Sequence, residues 1–125
     1  MLNNTLVISN NELVKTNLSK SVEIMFVDGT FLQTLERTRD LIHTGCILLT
    51  HPLSGSIKPN ETPYKSIAVG KRQGPVDLDS LKIMERSIIK TIDLLKDKDI
   101  PPWPEDCLED FREIDFDLIR NALKL

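Results

Sequence analysis

The chain predicts an α/β fold: a single domain with a small, mostly parallel sheet of about four strands, flanked by helices and followed by a helical carboxyl-terminal segment. Three observations predict it. Short apolar runs at Thr5–Ile8, Val22–Val27 and Cys46–Leu49 alternate with segments of helical spacing, the pattern from which parallel strands and right-handed crossover helices are built. From Asp77 the residues Leu78, Leu81, Met84, Ile88, Ile92 and Leu95 recur every three or four positions, which marks a long amphipathic helix. A length of 125 residues, 40% hydrophobic and 28% charged, suits one domain that buries roughly two-thirds of the surface its unfolded chain exposes.

Taken in order, Thr5-Leu6-Val7-Ile8 is short, apolar and rich in β-branched residues, and the polar Ser9-Asn10-Asn11 ends it and starts a helix from Glu12 to Asn17. The second run stops at Asp28-Gly29. Thr30 to His43 then sets Phe31, Leu35, Thr38, Leu41 and Ile42 near one helical face, and Gly45 suits the left-handed residue after that helix. The third strand leads into His51–Pro63, thirteen residues with three prolines that fit neither helix nor strand. Tyr64 to Val69 reads as a fourth strand, with Tyr64, Ser66 and Ala68 alternating against Lys65, Ile67 and Val69. The link before it is too short for a crossover helix, so this strand is expected to be antiparallel and at an edge. A charged turn follows at Gly70–Gly74. Pro101, Pro102 and Pro104 around Trp103 break the chain after the long helix, and Leu108, Phe111, Ile114, Leu118, Ile119 and Leu123 form one or two closing helices. Residues 1–99 thus make a βα core, and residues 100–125 a Pro-rich link with closing helices.

Charge and cysteine content narrow the function classes. A formal net charge of -3 argues against nucleic acid or an anionic membrane as a partner through bulk electrostatics, and Lys71-Arg72 is too short a basic turn to change that. No window approaches the roughly 18 consecutive apolar residues of a membrane span, and Met1–Thr5 has no basic region followed by an apolar stretch. A cytoplasmic location is expected. Cys46 and Cys107 have neither disulfide-framework nor metal-ligand spacing and read as reduced thiols; neither a metal nor a cofactor is expected.

In open α/β sheets, ligands gather beyond the carboxyl ends of parallel strands. There the sequence brings together Asn10, then Asp28 and Gly29, and then the loop from His51. A long irregular loop in a compact domain is more often functional than merely connecting. Ser54-Gly55-Ser56 offers two hydroxyls around a residue that lets backbone approach a ligand, and Lys58 adds a positive charge suited to phosphate or carboxylate. The expected ligand-binding set is Asn10, Asp28, Gly29, His51, Ser54, Gly55, Ser56, Lys58, Asn60, Glu61, Thr62, Tyr64 and Lys65. The catalytic candidates are His51 as base with Ser54 or Ser56 as nucleophile, with Asp28 and Glu61 the nameable orienting acids. Ordinary explanations compete at each place: serine and glycine are common in turns, His51 suits a backbone contact before Pro52, and Asp28-Gly29-Thr30 suits a helix cap. His43 lies near a helix end, where free carbonyls are its natural partners.

The stretch Thr50-His51-Pro52-Leu53-Ser54-Gly55-Ser56-Ile57-Lys58-Pro59-Asn60-Glu61-Thr62-Pro63-Tyr64-Lys65-Ser66 resembles the GrdX family, small proteins encoded beside glycine, sarcosine and betaine reductase components in amino-acid-fermenting anaerobes. Asp28-Gly29 and Arg39-Asp40-Leu41-Ile42-His43 resemble it too, so the similarity covers roughly residues 5 to 95, the carboxyl-terminal part matching more loosely. The resemblance implies a cytoplasmic accessory role in glycine reductase metabolism, where glycine is reduced to acetyl phosphate and ammonia, and it assigns no catalytic residue. The leading expectation is therefore a noncatalytic module that binds a small anionic metabolite or a reductase component through His51–Lys65. The alternatives are a hydrolase or transferase acting on an acyl or phosphoryl group, and an interaction scaffold that uses Trp103 and the closing helices, with a homodimer as one form.

Overall fold

The computed structural model describes residues 2–55 and 57–125. Its elements are β1 (Leu2–Ser9), α1 (Glu12–Leu18), β2 (Val22–Phe26), α2 (Phe31–His43), β3 (Ile47–Leu48), β4 (Ser66–Gly70), α3 (Leu78–Asp97) and α4 (Glu105–Ala122). The chain is α/β, with a four-stranded mixed sheet in the order β2-β1-β4-β3. β1 and β2 pair in parallel, whereas β4 is antiparallel to both β1 and β3. The first three strands therefore run the same way, as their βα spacing predicts, with β4 inserted between β1 and β3.

That insertion corrects the expected edge position of β4. Ser66, Ile67, Ala68 and Val69 are all buried, as in a strand covered on both faces. Physically, the strand is led in beside β1 by Asn10, whose Oδ1 accepts from the Lys65 N–H at 2.8 Å. The outer side of β3 is occupied instead by α3: the Leu48 N–H donates to Ser80 Oγ at 2.9 Å.

The register assigns the two faces. Val7 sits opposite Ala68, and both pack with Val14, Leu18, Val22 and Ile119 beneath α1 and α4. On the other face Ile67 joins Phe31, Leu35, Ile42, Met84 and Ile88 beneath α2 and α3. Helix starts follow local chemistry. Asn11 caps α1, Asp77 caps α3, and Thr30 caps α2 in a reciprocal box with Gln33. Thr30, not Asp28, is thus the cap after β2. Gly45, at φ +114°, makes the turn after α2 in the left-handed region. A Cβ there would lie 2.6 Å from the Gly74 nitrogen. Among the described residues no helix is long and apolar enough to cross a membrane.

Candidate functional site

Buried polar side chains gather at the carboxyl end of β1, where Ser9, Asn10 and Asn11 are all inside. The Asn10 amide joins three segments: Nδ2 donates to the carbonyls of Gly29 (3.1 Å) and Pro63 (2.8 Å), while Oδ1 takes the Lys65 N–H. The end of the long loop is thereby fixed against the turn after β2. Asn11 accepts from the Leu13 N–H as the cap of α1, and its Nδ2 donates to the Arg112 carbonyl (2.9 Å) and to Asp115 Oδ2 (3.0 Å). One asparagine thus starts a helix and positions α4 over the strand tips.

Between these elements lies an open cleft of about 620 Å³, lined by Asn10, Glu12, Leu13, Thr16, Phe26, Asp28, Gly29, Tyr64, Glu105 and Arg112. It falls in the roughly 300–1,000 Å³ range of small-molecule sites. Arg112 donates to the Tyr64 hydroxyl at 2.8 Å, lies 5.5 Å from the centre of that ring, and pairs with Glu105. The Glu105 hydrogen bond holds the guanidinium still more firmly in its charged form. Three carboxylates and one guanidinium therefore face the same space.

A second place lies under the front of the loop. Ser54, Gly55, Thr62, Lys65 and Asp115 meet an apolar wall of Phe31, Leu53, Ile57, Phe111, Ile114 and Leu118 around a crevice of about 20 Å³, the room of about one water molecule. The Lys65 ammonium is buried and donates to the Ser54 carbonyl at 3.1 Å and to Ser54 Oγ at 3.4 Å. Burial pushes its pKa down, opposed by the charge of Asp115. Asp115 accepts from the Ser66 N–H (2.9 Å), the Ser66 hydroxyl (2.7 Å) and Asn11 Nδ2. Burial pushes its carboxyl up, against those hydrogen bonds and the Lys65 charge. With the Ser66 hydroxyl donating to Asp115, the Ser9 hydroxyl donates to Ser66 at 2.7 Å.

The remaining sequence-predicted residues are dispersed. Lys58 lines a shallow groove with Lys90 and Leu94. Asn60 Nδ2 donates to the Leu94 carbonyl at 3.1 Å near the end of α3, and Trp103 Nε1 donates to the Glu61 carbonyl at 2.7 Å. Thr62 Oγ1 accepts from the Tyr64 N–H. These contacts seat the middle of the loop on α3 and on the Pro-rich link. The exposed His51 uses Nδ1 to accept from the Leu53 N–H at 3.0 Å, and among the described residues no hydrogen bond joins its ring to Ser54. The Ser54 hydroxyl meets Lys65 in place of the expected histidine; Ser56 lies outside the described residues. Trp103, considered above as a partner anchor, is half-buried, its ring centre 5.4 Å from that of Phe111.

Nine residues of the predicted set are therefore divided among three surfaces, while His51, Asn60 and Glu61 are not among the residues that line them. Asn10, Asp28, Gly29 and Tyr64 share the cleft, Ser54, Gly55, Thr62 and Lys65 the crevice, and Lys58 the groove, where Gly55 also reaches. Sequence reasoning missed Glu105, Arg112 and Asp115, all on α4. A signal for two of them existed. Asp115 stands four residues from both Phe111 and Ile119, and Arg112 stands four after Leu108, so both interrupt the apolar stripe of a helix, where a charge needs a partner.

No curated protein and no solved structure matches the chain. The GrdX-like protein family matches it over residues 6–124, so the likeness extends beyond the long helix, where it had looked looser, through nearly all of the closing helix. The strand tips, the loop and the α4 residues that face them all fall within that match, and the chain belongs to the GrdX-like family.

Proposed function

We propose that the protein is a cytoplasmic accessory module of glycine reductase-type amino-acid fermentation, and that its cleft at the tips of β1 and β2 binds a small amino-acid-like zwitterion. Family membership supports the metabolic setting. The charge inventory of the cleft supports the ligand class and carries the reading: Arg112, held by Tyr64 and Glu105, has a planar fork whose remaining N–H groups suit a carboxylate, and Glu12, Asp28 and Glu105 surround it with negative charge. A simple anion such as phosphate or acetate meets three like charges for one opposite charge. A molecule with a carboxylate at one end and an ammonium at the other satisfies both signs, the carboxylate at Arg112 and the ammonium toward Asp28 and Glu12. Glycine, sarcosine and betaine share that arrangement. This ligand class replaces the small anionic metabolite expected from Lys58 and the serines, since Lys58 and Ser54 do not line the cleft.

Thermal unfolding with a panel of compounds tests it. Zwitterions should raise the midpoint, with a stabilisation of about 2.7 kcal/mol at a hundredfold excess over Kd, while acetate, phosphate, acetyl phosphate and nucleotides leave it unmoved. Arg112→Gln should remove the response. A midpoint raised by the anions and not by the zwitterions, or by nothing in the panel, overturns the reading.

A further inference from the structure

The front of the loop and α4 flank a groove in which an exposed serine stands over a buried lysine. Lys65 is 5% exposed, with Nζ 3.4 Å from the Oγ of Ser54, which is itself exposed. Both residues, with Leu118, line two adjoining depressions. One is the crevice of about 20 Å³ walled by Phe31, Leu53 and Phe111, and the other, of about 380 Å³, is lined also by Thr50, Ile119, Asn121 and Ala122 and has the room for a short acyl chain. A nucleophile facing solvent, a nitrogen base behind it and an apolar wall beside it are three of the parts of a serine–lysine acyl-transfer site.

We propose that Ser54 and Lys65 form a nucleophile and general-base pair that hydrolyses activated carboxylic esters with short apolar acyl chains. The neutral Lys65 amine takes the Ser54 hydroxyl proton as Oγ bonds to the carbonyl carbon. The carbon–oxygen bond to the alcohol breaks, and the Lys65 ammonium protonates the departing oxygen. Water then attacks the acyl-serine ester and gives its proton to Lys65, and Ser54 Oγ leaves and is reprotonated, so that ester and water become acid and alcohol. Burial favours the neutral amine that this step requires, while Asp115 on α4 is the charged group that opposes it. Asp115 is in turn engaged by Ser66 and Asn11. The nearby His51 faces the Leu53 N–H and takes no part.

The test uses the full chain with a fluorophosphonate probe and p-nitrophenyl acetate. One covalent adduct is expected, mapped by peptide mass spectrometry to Ser54 and absent in Ser54→Ala. Release of p-nitrophenolate should rise with pH along a single titration below the ordinary lysine value of 10.5. Lys65→Met and Lys65→Arg should each slow it by roughly a hundredfold or more. If Lys65→Met fails to fold by circular dichroism, Lys65→Arg and the wild-type pH profile carry the test. No adduct on the folded wild type, an adduct only at another residue, or Lys65 variants that react at the wild-type rate overturns the proposal.

Discussion

Asp115 shows how a single side chain is committed by its surroundings: its two oxygens take hydrogen bonds from Ser66 and Asn11, and Lys65 lies nearby. Asp115→Ala leaves those donors without an acceptor in a buried place, and denaturant unfolding should show a loss of about 3–5 kcal/mol. Asp115→Asn, which keeps shape and one acceptor, should lose less, about 1–3 kcal/mol. Burial raises the folded-state pKa of Asp115 above its ordinary 3.8, so the folded state holds this proton more tightly than the unfolded one. The stability linked to it is complete below pH 3.8 and is lost as pH climbs through the raised value. The margin of the wild type over Asp115→Asn should therefore narrow as pH rises from about 4 toward neutrality, a trend that urea titrations across that range would read. At this scale Asn10, Asp28, Gly29 and Tyr64 were legible because they stand at strand ends, and strand ends can be read from local apolar runs. Arg112 was legible only as a charge that interrupts the apolar stripe of its helix; its place in the cleft was not, because its partner Tyr64 is 48 positions away.

Secondary elements owe their ends to short-range chemistry and their neighbours to long-range contacts. Thr30 and Gln33 satisfy each other's backbone N–H groups at the start of α2. Thr30→Ala should therefore cost about 1 kcal/mol in equilibrium unfolding, with the cleft unaffected. The caps, the glycine turn at Gly45 and the long α3 were readable for the same reason. The order of the sheet was not, since the central place of β4 depends on Lys65 meeting Asn10 across 55 positions, and alternation in a five-residue strand does not report which neighbours it will find. The loop shows a similar division. Its irregularity was visible, but its seating on Leu94 and Trp103 was not. Trp103→Ala removes the bond to Glu61 and the ring contact with Phe111. Amide exchange should then speed up across Lys58–Thr62 first, with a stability loss below the about 3–5 kcal/mol of a fully buried tryptophan.

For the molecule as a whole, the sheet carries α1 and α4 on one face and α2 and α3 on the other, and the polar residues concentrate where α4 crosses the loop and the strand tips. That crossing makes the closing helix, expected as one or two helices and as a possible interaction surface, the source of Arg112 and Glu105 in the cleft. The central claim is that this cleft takes an amino-acid-like zwitterion. The most direct measurement is a two-dimensional NMR titration of the labelled protein with glycine and, separately, with acetate. Saturable shifts from glycine, clustered at Asn10, Gly29, Tyr64, Glu105 and Arg112 and absent with acetate, are the predicted result. Shifts confined to another surface, equal responses to both compounds, or no response to glycine would contradict it.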